Sequence, residues 1–105
     1  GGMYYDGEGV EKDSKEAVKW FRKSADQGHA NSQFNLGGMY AEGEGVPKDN
    51  VTAHAWWSIT AANGDSTAKL TKYNIAKKMT PEQISEAEEL VKEMVKKNPK
   101  LLNTK

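Results

Sequence analysis

The chain contains no cysteine, so neither a disulfide nor a thiolate metal site can form. It also lacks an excess of either charge, because 15 lysines and arginines balance 15 acidic residues. Nothing in this balance favours binding to nucleic acid or to an anionic membrane surface. No apolar run approaches the roughly 18 residues that a membrane-spanning helix requires, so membrane insertion is not expected.

Strand patterns are lacking as well. No stretch of the 105 residues alternates apolar and polar side chains as a half-buried strand does. The apolar residues instead recur at helical spacing between breaks that contain glycine or proline. The sequence therefore predicts an all-α protein, and its length allows one domain.

An internal repeat with a period of 36 residues organises the chain. Residues 37–72 are identical to residues 1–36 at 14 of 36 positions, including two copies of Gly-Gly-Met-Tyr and of Gly-Glu-Gly-Val. The shared positions are glycines at breaks and apolar residues at helical spacing, as stacked helix pairs require. This pattern predicts a solenoid of antiparallel helix pairs.

Glycines and capping residues predict the helix bounds in the first repeat. We expect a break at Gly-Glu-Gly, residues 7–9, an N-cap at Asp13 and a helix over residues 14–26 that Gly28 ends. Residues 1–6 would be the last turns of an earlier helix. The inward face of the helix over residues 14–26 would carry Ala17, Trp20, Phe21 and Ser24.

The second repeat predicts helices over residues 31–41 and 50–62. The core stripe of the first would consist of Ser32, Leu36, Met39 and Tyr40, with Gly37 beside them. A glycine within a helix costs about 1 kcal/mol relative to alanine, so we expect a large ring of a neighbouring helix to approach Gly37. We interpret Trp56 and Trp57 as core residues, with Trp56 above a small residue and Trp57 reaching the next repeat; a ligand-stacking platform is the alternative.

The C-terminal third predicts two further helices. Asp65 or Ser66 would cap a helix that ends near Lys78, and Thr80-Pro81-Glu82-Gln83 is typical of a helix start with a capping box. The helix over residues 81–97 has an apolar stripe made of Ile84, Ala87, Val91, Met94 and Val95. We interpret it as a lid on the solenoid, with binding to a partner or a membrane as alternatives, and residues 99–105 as a loose tail.

The stretch at residues 36–49, LGGMYAEGEGVPKD, followed by Ala53, Trp56-Trp57, Ala61 and Gly64, resembles the Sel1-like repeat, a relative of the tetratricopeptide repeat. The resemblance implies an α/α superhelix. Its expected divisions are a truncated repeat at 1–29, a complete repeat at 30–65, the first helix of a degenerate repeat at 66–79 and a capping helix at 80–98. A cysteine-rich bacterial branch of the family pins its repeats with disulfides, and this chain departs from that branch.

The same resemblance implies a bacterial adaptor that binds a protein or peptide on the concave face of the solenoid, without catalysis. By analogy alone, a periplasmic or secreted location is slightly favoured over a cytoplasmic one. In tetratricopeptide repeats the first helix of each pair lines the concave face. The residues so placed are Asn31, Phe34, Asn35, Gly38, Thr67, Leu70, Thr71 and Asn74. Whether Phe34 and Leu70 face the groove or fill the seam between adjacent first helices stays open.

Residues suited to chemistry are sparse, and we expect no catalytic site, metal site or cofactor. His29 is placed at an interhelical turn and His54 on an exposed helix surface, and neither has a metal-ligand spacing around it. The Gly-Glu-Gly elements follow no strand and precede no Gly-Lys-Ser/Thr, so they are interpreted as turns rather than phosphate loops. The alternatives to an adaptor are a structural end piece of a longer array and, more remotely, a hydrolase. Self-association through the N-terminal end is also expected, because Trp20 and Phe21 would be left partly bare there.

Overall fold

The computed structural model describes residues 7–102, with side chains from Asp13 onward. Its elements are α1 (Gly7–Asp26), α2 (Ala30–Glu42), α3 (Asn50–Ala62), α4 (Ser66–Ala76), α5 (Pro81–Lys97) and a short 3-10 helix (Pro99–Leu101). Within residues 7–102 no strand occurs. The prediction of an all-α solenoid is confirmed.

The helix α3 lies at the centre of the structure. Successive helices pack on one another from α1 to α4, whereas α5 packs on α3 rather than on α4. The 3-10 helix then contacts α5 and α1. Because α3 is covered by α2, α4 and α5, its buried residues lie on more than one face: Ala53, His54, Ala55, Trp56, Trp57, Ile59 and Thr60.

Local side-chain caps start three of the helices where the sequence predicted. The Asp49 carboxylate accepts a hydrogen bond of 3.1 Å from the Thr52 N–H, and Asp65 caps α4 in the same way. At α5 the Gln83 N–H donates to Thr80 Oγ1 at 3.1 Å, and the Thr80 N–H donates to Gln83 Oε1 at 2.9 Å. This reciprocal pair is the capping box that satisfies two N–H groups at once.

The turn between α2 and α3 depends on two left-handed glycines. Gly43 has φ of 71° and Gly45 has φ of 72°. Residues that carry a Cβ atom rarely adopt this left-handed backbone region. A Cβ atom on Gly45 would also lie 2.5 Å from the Ser14 carbonyl oxygen of α1. The second Gly-Glu-Gly element is therefore a turn, as predicted, and it brings the loop directly against α1.

The predicted break at residues 7–9 and the predicted N-cap at Asp13 are wrong. Within the described residues, α1 runs without interruption from Gly7 through Asp13 to Asp26. The two copies differ at one decisive position, where Glu11 stands in place of Pro47. Proline disfavours helical backbone in the residue before it and lacks an N–H, whereas glutamate allows the helix to continue. The helix predicted for residues 1–6 lies outside the described residues.

The core joins the end of α1 to the 3-10 helix. It consists of Ala25, Leu36, Trp56, Ile59 and Leu101, with Val18, Phe21, Tyr40, Val91, Met94 and Leu102 packed against it. Only 2% of the surface of Leu101 is exposed, so the prediction of a loose tail is wrong for the 3-10 helix. Residues 103–105 lie outside the described part of the chain. Val91 and Met94 confirm the apolar stripe predicted for α5.

A polar network is buried beside this core. Gln33 is fully buried, and its Nε2 donates hydrogen bonds to the carbonyl oxygens of Ala25 at 3.1 Å and Leu101 at 2.9 Å. Asn63 Nδ2 donates to Gln33 Oε1 and to the Leu101 oxygen, both at 2.9 Å. These bonds connect α1, α2, the end of α3 and the 3-10 helix.

Trp20 does not share the burial of its repeat counterpart, Trp56. Its side chain is 66% exposed, with Lys23 Nζ 5.0 Å from the ring centroid. Phe21 does pack against the core. The prediction that both rings face inward is thus wrong for Trp20, because among the described elements only α2 and the 3-10 helix pack substantially on α1.

Candidate functional site

The indole ring of Trp57 anchors the surface between α2 and α4. Its Nε1 donates a hydrogen bond of 3.0 Å to the Phe34 carbonyl oxygen, and its ring centroid lies 6.1 Å from that of Phe34. A Cβ atom on Gly37 would lie 2.6 Å from Trp57 Nε1. The expectation of a large ring over Gly37 is confirmed, but that ring is Trp57 of the same repeat. The contact with a small helix residue that was predicted for Trp56 is therefore made by Trp57.

A groove with a volume of ≈ 340 Å³ lies over Trp57. Its walls come from the C-terminal end of α2, the following loop, the start of α3 and one side of α4. The lining residues are Ala41, Glu42, Lys48, Asn50, Trp57, Thr71, Asn74, Ile75 and Lys78. We call it the Trp57 groove.

The eight residues predicted for the concave face are not brought together in one place. Of these residues, Thr71 and Asn74 line the Trp57 groove, and Phe34 contacts its tryptophan from the α2 side. Thr67 and Leu70 line a different depression. The remaining three, Asn31, Asn35 and Gly38, line neither; both asparagines are exposed, and Gly38 is half-buried. Leu70 is 63% exposed, which rules out the seam interpretation for that residue.

The second depression, with a volume of ≈ 680 Å³, runs along α4 on the side of His54. We call it the α4 depression. Two large side chains stand open to solvent in it, Leu70 at 63% and Tyr73 at 62% exposed. Its lining consists of His54, Ser66, Thr67, Lys69, Leu70, Lys72, Tyr73 and Ala76.

His54 forms part of this lining from within α3. It is 5% exposed, so the prediction of an exposed histidine is wrong; the packing of α4 and α5 on α3 accounts for its burial. The Ser58 hydroxyl donates to the His54 carbonyl oxygen at 2.8 Å and lies 3.4 Å from Nδ1. Burial is the largest cause that lowers the pKa of His54, and Lys72 lowers it further, while Glu88 of α5 acts in the opposite direction.

The arrangement offers surfaces for binding. Residues 7–102 bring together no group of three or more metal-binding side chains. Among the helices described, none combines the length and the hydropathy of a membrane span. What the two depressions do offer is apolar side chains beside amide, hydroxyl and ammonium groups.

Several important residues escaped the sequence analysis. Gln33 falls at i, i+3, i+4 and i+7 with Leu36, Gly37 and Tyr40, so helical spacing alone could have placed it on the buried face. The importance of Lys69, Lys72 and Tyr73 could have been found from the repeat itself, since they occupy the positions of Gln33, Leu36 and Gly37 one period later.

The comparison with known families agrees with this architecture. The Sel1 repeat profile matches residues 1–29 and again residues 30–65. The chain belongs to the Sel1 repeat family. Sel1 repeats commonly serve as protein-interaction modules, and proteins with this fold are typically non-catalytic.

A solved Sel1-like repeat structure is also similar to this chain. It is the crystal structure of c5321, a protective antigen of uropathogenic Escherichia coli strains with an SLR fold. The two share 34% sequence identity with a TM-score of 0.76, and the match covers 87% of this chain. The chain spans only 20% of the length of that protein. The comparison with curated protein sequences found none that matches this chain.

Proposed function

We propose that this Sel1 repeat chain is an adaptor module that binds an extended segment of a partner protein in the Trp57 groove. The observation that carries the proposal is the juxtaposition of the Trp57 ring with Thr71 and Asn74 of the next repeat. Ala41, Ile75 and the exposed edge of Trp57, which is 6% exposed, supply apolar contact area. Amide and hydroxyl groups on the walls can donate to and accept from a peptide backbone.

The charges around the groove favour a peptide over a ligand of one sign. The charged residues in its lining are Glu42, Lys48 and Lys78. Asn74 is exposed. An extended peptide presents alternating N–H and C=O groups, which can pair with the asparagine and threonine side chains. A single anion would instead favour a lining of positive charge alone.

A peptide selection tests this proposal directly. A phage-displayed library of random peptides would be selected on the immobilised chain, and the enriched peptides measured by fluorescence anisotropy. Asn74→Arg should weaken their binding, because it places a large charged side chain in the groove. Asn31→Arg is the matched control, since Asn31 is an exposed asparagine outside the groove. Enriched peptides that bind both variants as well as they bind the parent chain would refute the proposal.

A second candidate is a structural end piece with no binding surface of its own. The observation that favours it is the closure of the core by α5 and the 3-10 helix, which cover α3 and bury Leu101. A structural end piece should enrich no peptide above the level of the bare support. Within the described residues, no observation favours a hydrolase.

A further inference from the structure

The repeat register shows that α4 exposes a face that α2 buries. Subtracting the period of 36 places Lys69, Lys72 and Tyr73 on the positions of Gln33, Leu36 and Gly37. In α2 these three residues are buried: Gln33 holds the polar network, Leu36 lies in the core and Gly37 lies beneath Trp57 of α3. On this face Gly37 contacts the partner helix α3, and Gln33 reaches α1 and the 3-10 helix as well.

In α4 the corresponding face has no partner helix among the described residues. The helix that follows in the chain, α5, packs on α3. The result is the α4 depression, in which the two large side chains Leu70 and Tyr73 are each more than half exposed. The depression therefore lies where the second helix of a third pair would pack.

The charge of this face is of one sign. Residues 66–80 contain four lysines and no aspartate or glutamate. Lys69 and Lys72 line the depression, and Lys77 Nζ lies 4.9 Å from the centroid of the Tyr73 ring. In the described part of the chain neither Lys69 nor Lys72 forms an ion pair. Glu88, which acts on His54 from α5, is not part of the lining.

We propose that the α4 depression binds an acidic amphipathic helix of a partner protein, which packs on α4 as α3 packs on α2. Apolar side chains of that helix would cover Leu70 and Ala76, and its carboxylates would pair with Lys69 and Lys72. This site is distinct from the Trp57 groove, and the inference goes beyond the function proposed above.

The exchange of Gly37 for Tyr73 specifies the partner helix further. In the second repeat the large ring comes from the partner helix, as Trp57, and the small residue from α2. In the third repeat α4 itself supplies the large ring, as Tyr73. The docked helix therefore requires alanine or glycine opposite Tyr73, because two large rings do not fit in the space of one.

Two synthetic helical peptides test the proposal. Both carry the same leucine and alanine face; glutamates flank that face in one peptide and lysines in the other. In fluorescence anisotropy with the full chain, the glutamate peptide should bind and the lysine peptide should not. The affinity should fall as salt rises from about 0.1 M to about 1 M, because screening weakens exposed charge pairs.

Charge reversal supplies the decisive variant. Lys69→Glu combined with Lys72→Glu should weaken binding of the glutamate peptide by on the order of tenfold and strengthen binding of the lysine peptide. Lys92→Glu with Lys96→Glu, on exposed positions of α5, is the matched control. It should leave the affinities for both peptides unchanged. Far-UV circular dichroism checks that every variant remains helical. Asn74→Arg should also have no effect, so a failure here and a failure at the Trp57 groove are distinguishable.

Several results would overturn the inference. No binding of either peptide would do so, as would equal binding of both or indifference to the reversal of Lys69 and Lys72. Binding of phosphatidylserine vesicles in preference to the glutamate peptide would identify the face as a lipid-binding surface instead. Concentration-dependent dimers that Tyr73→Ser abolishes would assign the depression to a second copy of the chain.

Discussion

The side-chain amide of Gln33 donates a 2.9 Å hydrogen bond to the carbonyl oxygen of Leu101, although 68 residues separate the two. The same amide also reaches Ala25, and Asn63 completes the network by donating to Gln33 Oε1. A buried amide is tolerated only when its hydrogen bonds are made. In the described residues, no buried side-chain nitrogen or oxygen is left without a partner.

We predict that Gln33→Leu destabilises the protein by about 1–3 kcal/mol, because it removes the buried hydrogen bonds that the amide makes with Ala25, Leu101 and Asn63. Chemical denaturation measures the change in the free energy of unfolding. Gln27→Leu is the matched control, since Gln27 is exposed in the turn after α1. Equal effects of the two substitutions would show that the network contributes nothing.

The adjacent glycines of α2 provide a paired test of the contact with Trp57. Gly37→Ala should destabilise by about 1–3 kcal/mol, because its Cβ atom would overlap the indole ring. Gly38→Ala should stabilise by about 0.5–1 kcal/mol, since nothing lies within 4 Å of its added Cβ and alanine favours the helix. Thermal midpoints of both variants decide the matter, and a stabilising Gly37→Ala would contradict the packing described.

We predict that stability decreases as the pH falls below about 6.5, the ordinary pKa of histidine. Burial lowers the pKa of His54 in the folded protein, so the unfolded chain binds the proton more tightly. The free energy of unfolding is therefore unaffected by this group at neutral pH. It falls below pH 6.5 and levels off once the pH is under the folded pKa.

The measurement for His54 is a series of urea denaturations between about pH 7.5 and about pH 5, a range that brackets its ordinary pKa. His54→Gln should reduce the slope of stability against pH over this range. The exposed His29 is retained in both proteins, so it cancels in the comparison. Identical slopes for the parent chain and the variant would contradict the prediction.

Self-association through the N-terminal end remains a prediction, and the exposure of Trp20 supports it. An exposed indole ring on α1 favours association, because association would bury its apolar area. Light scattering over a concentration series should show an increase in apparent mass, and Trp20→Gln should reduce it. Tyr73→Gln tests the other exposed ring as a control. A monomer at all concentrations would exclude association through Trp20.

Three helix caps were predicted correctly because they depend on near neighbours in the chain. Asp49, Asp65 and Thr80 cap helices through residues three positions away, so their roles follow from local pattern. The burial of His54 depends instead on α5, which could not be placed on α3 from periodicity alone. The same holds for Leu101, whose partners are distant in sequence, and for the division of the predicted concave face into two depressions.

The return of the C-terminal segment to α1 changes the order in which such a chain can assemble. In an open solenoid each repeat contacts only its neighbours, so the ends can unravel independently. Here Asn98 Nδ2 donates to the Asp26 carbonyl oxygen at 2.9 Å across 72 residues, beside the bond between Gln33 and Leu101. These contacts raise the contact order and close a loop whose entropy must be offset before the core forms. We therefore expect α1 and the 3-10 helix to unfold together rather than one ahead of the other.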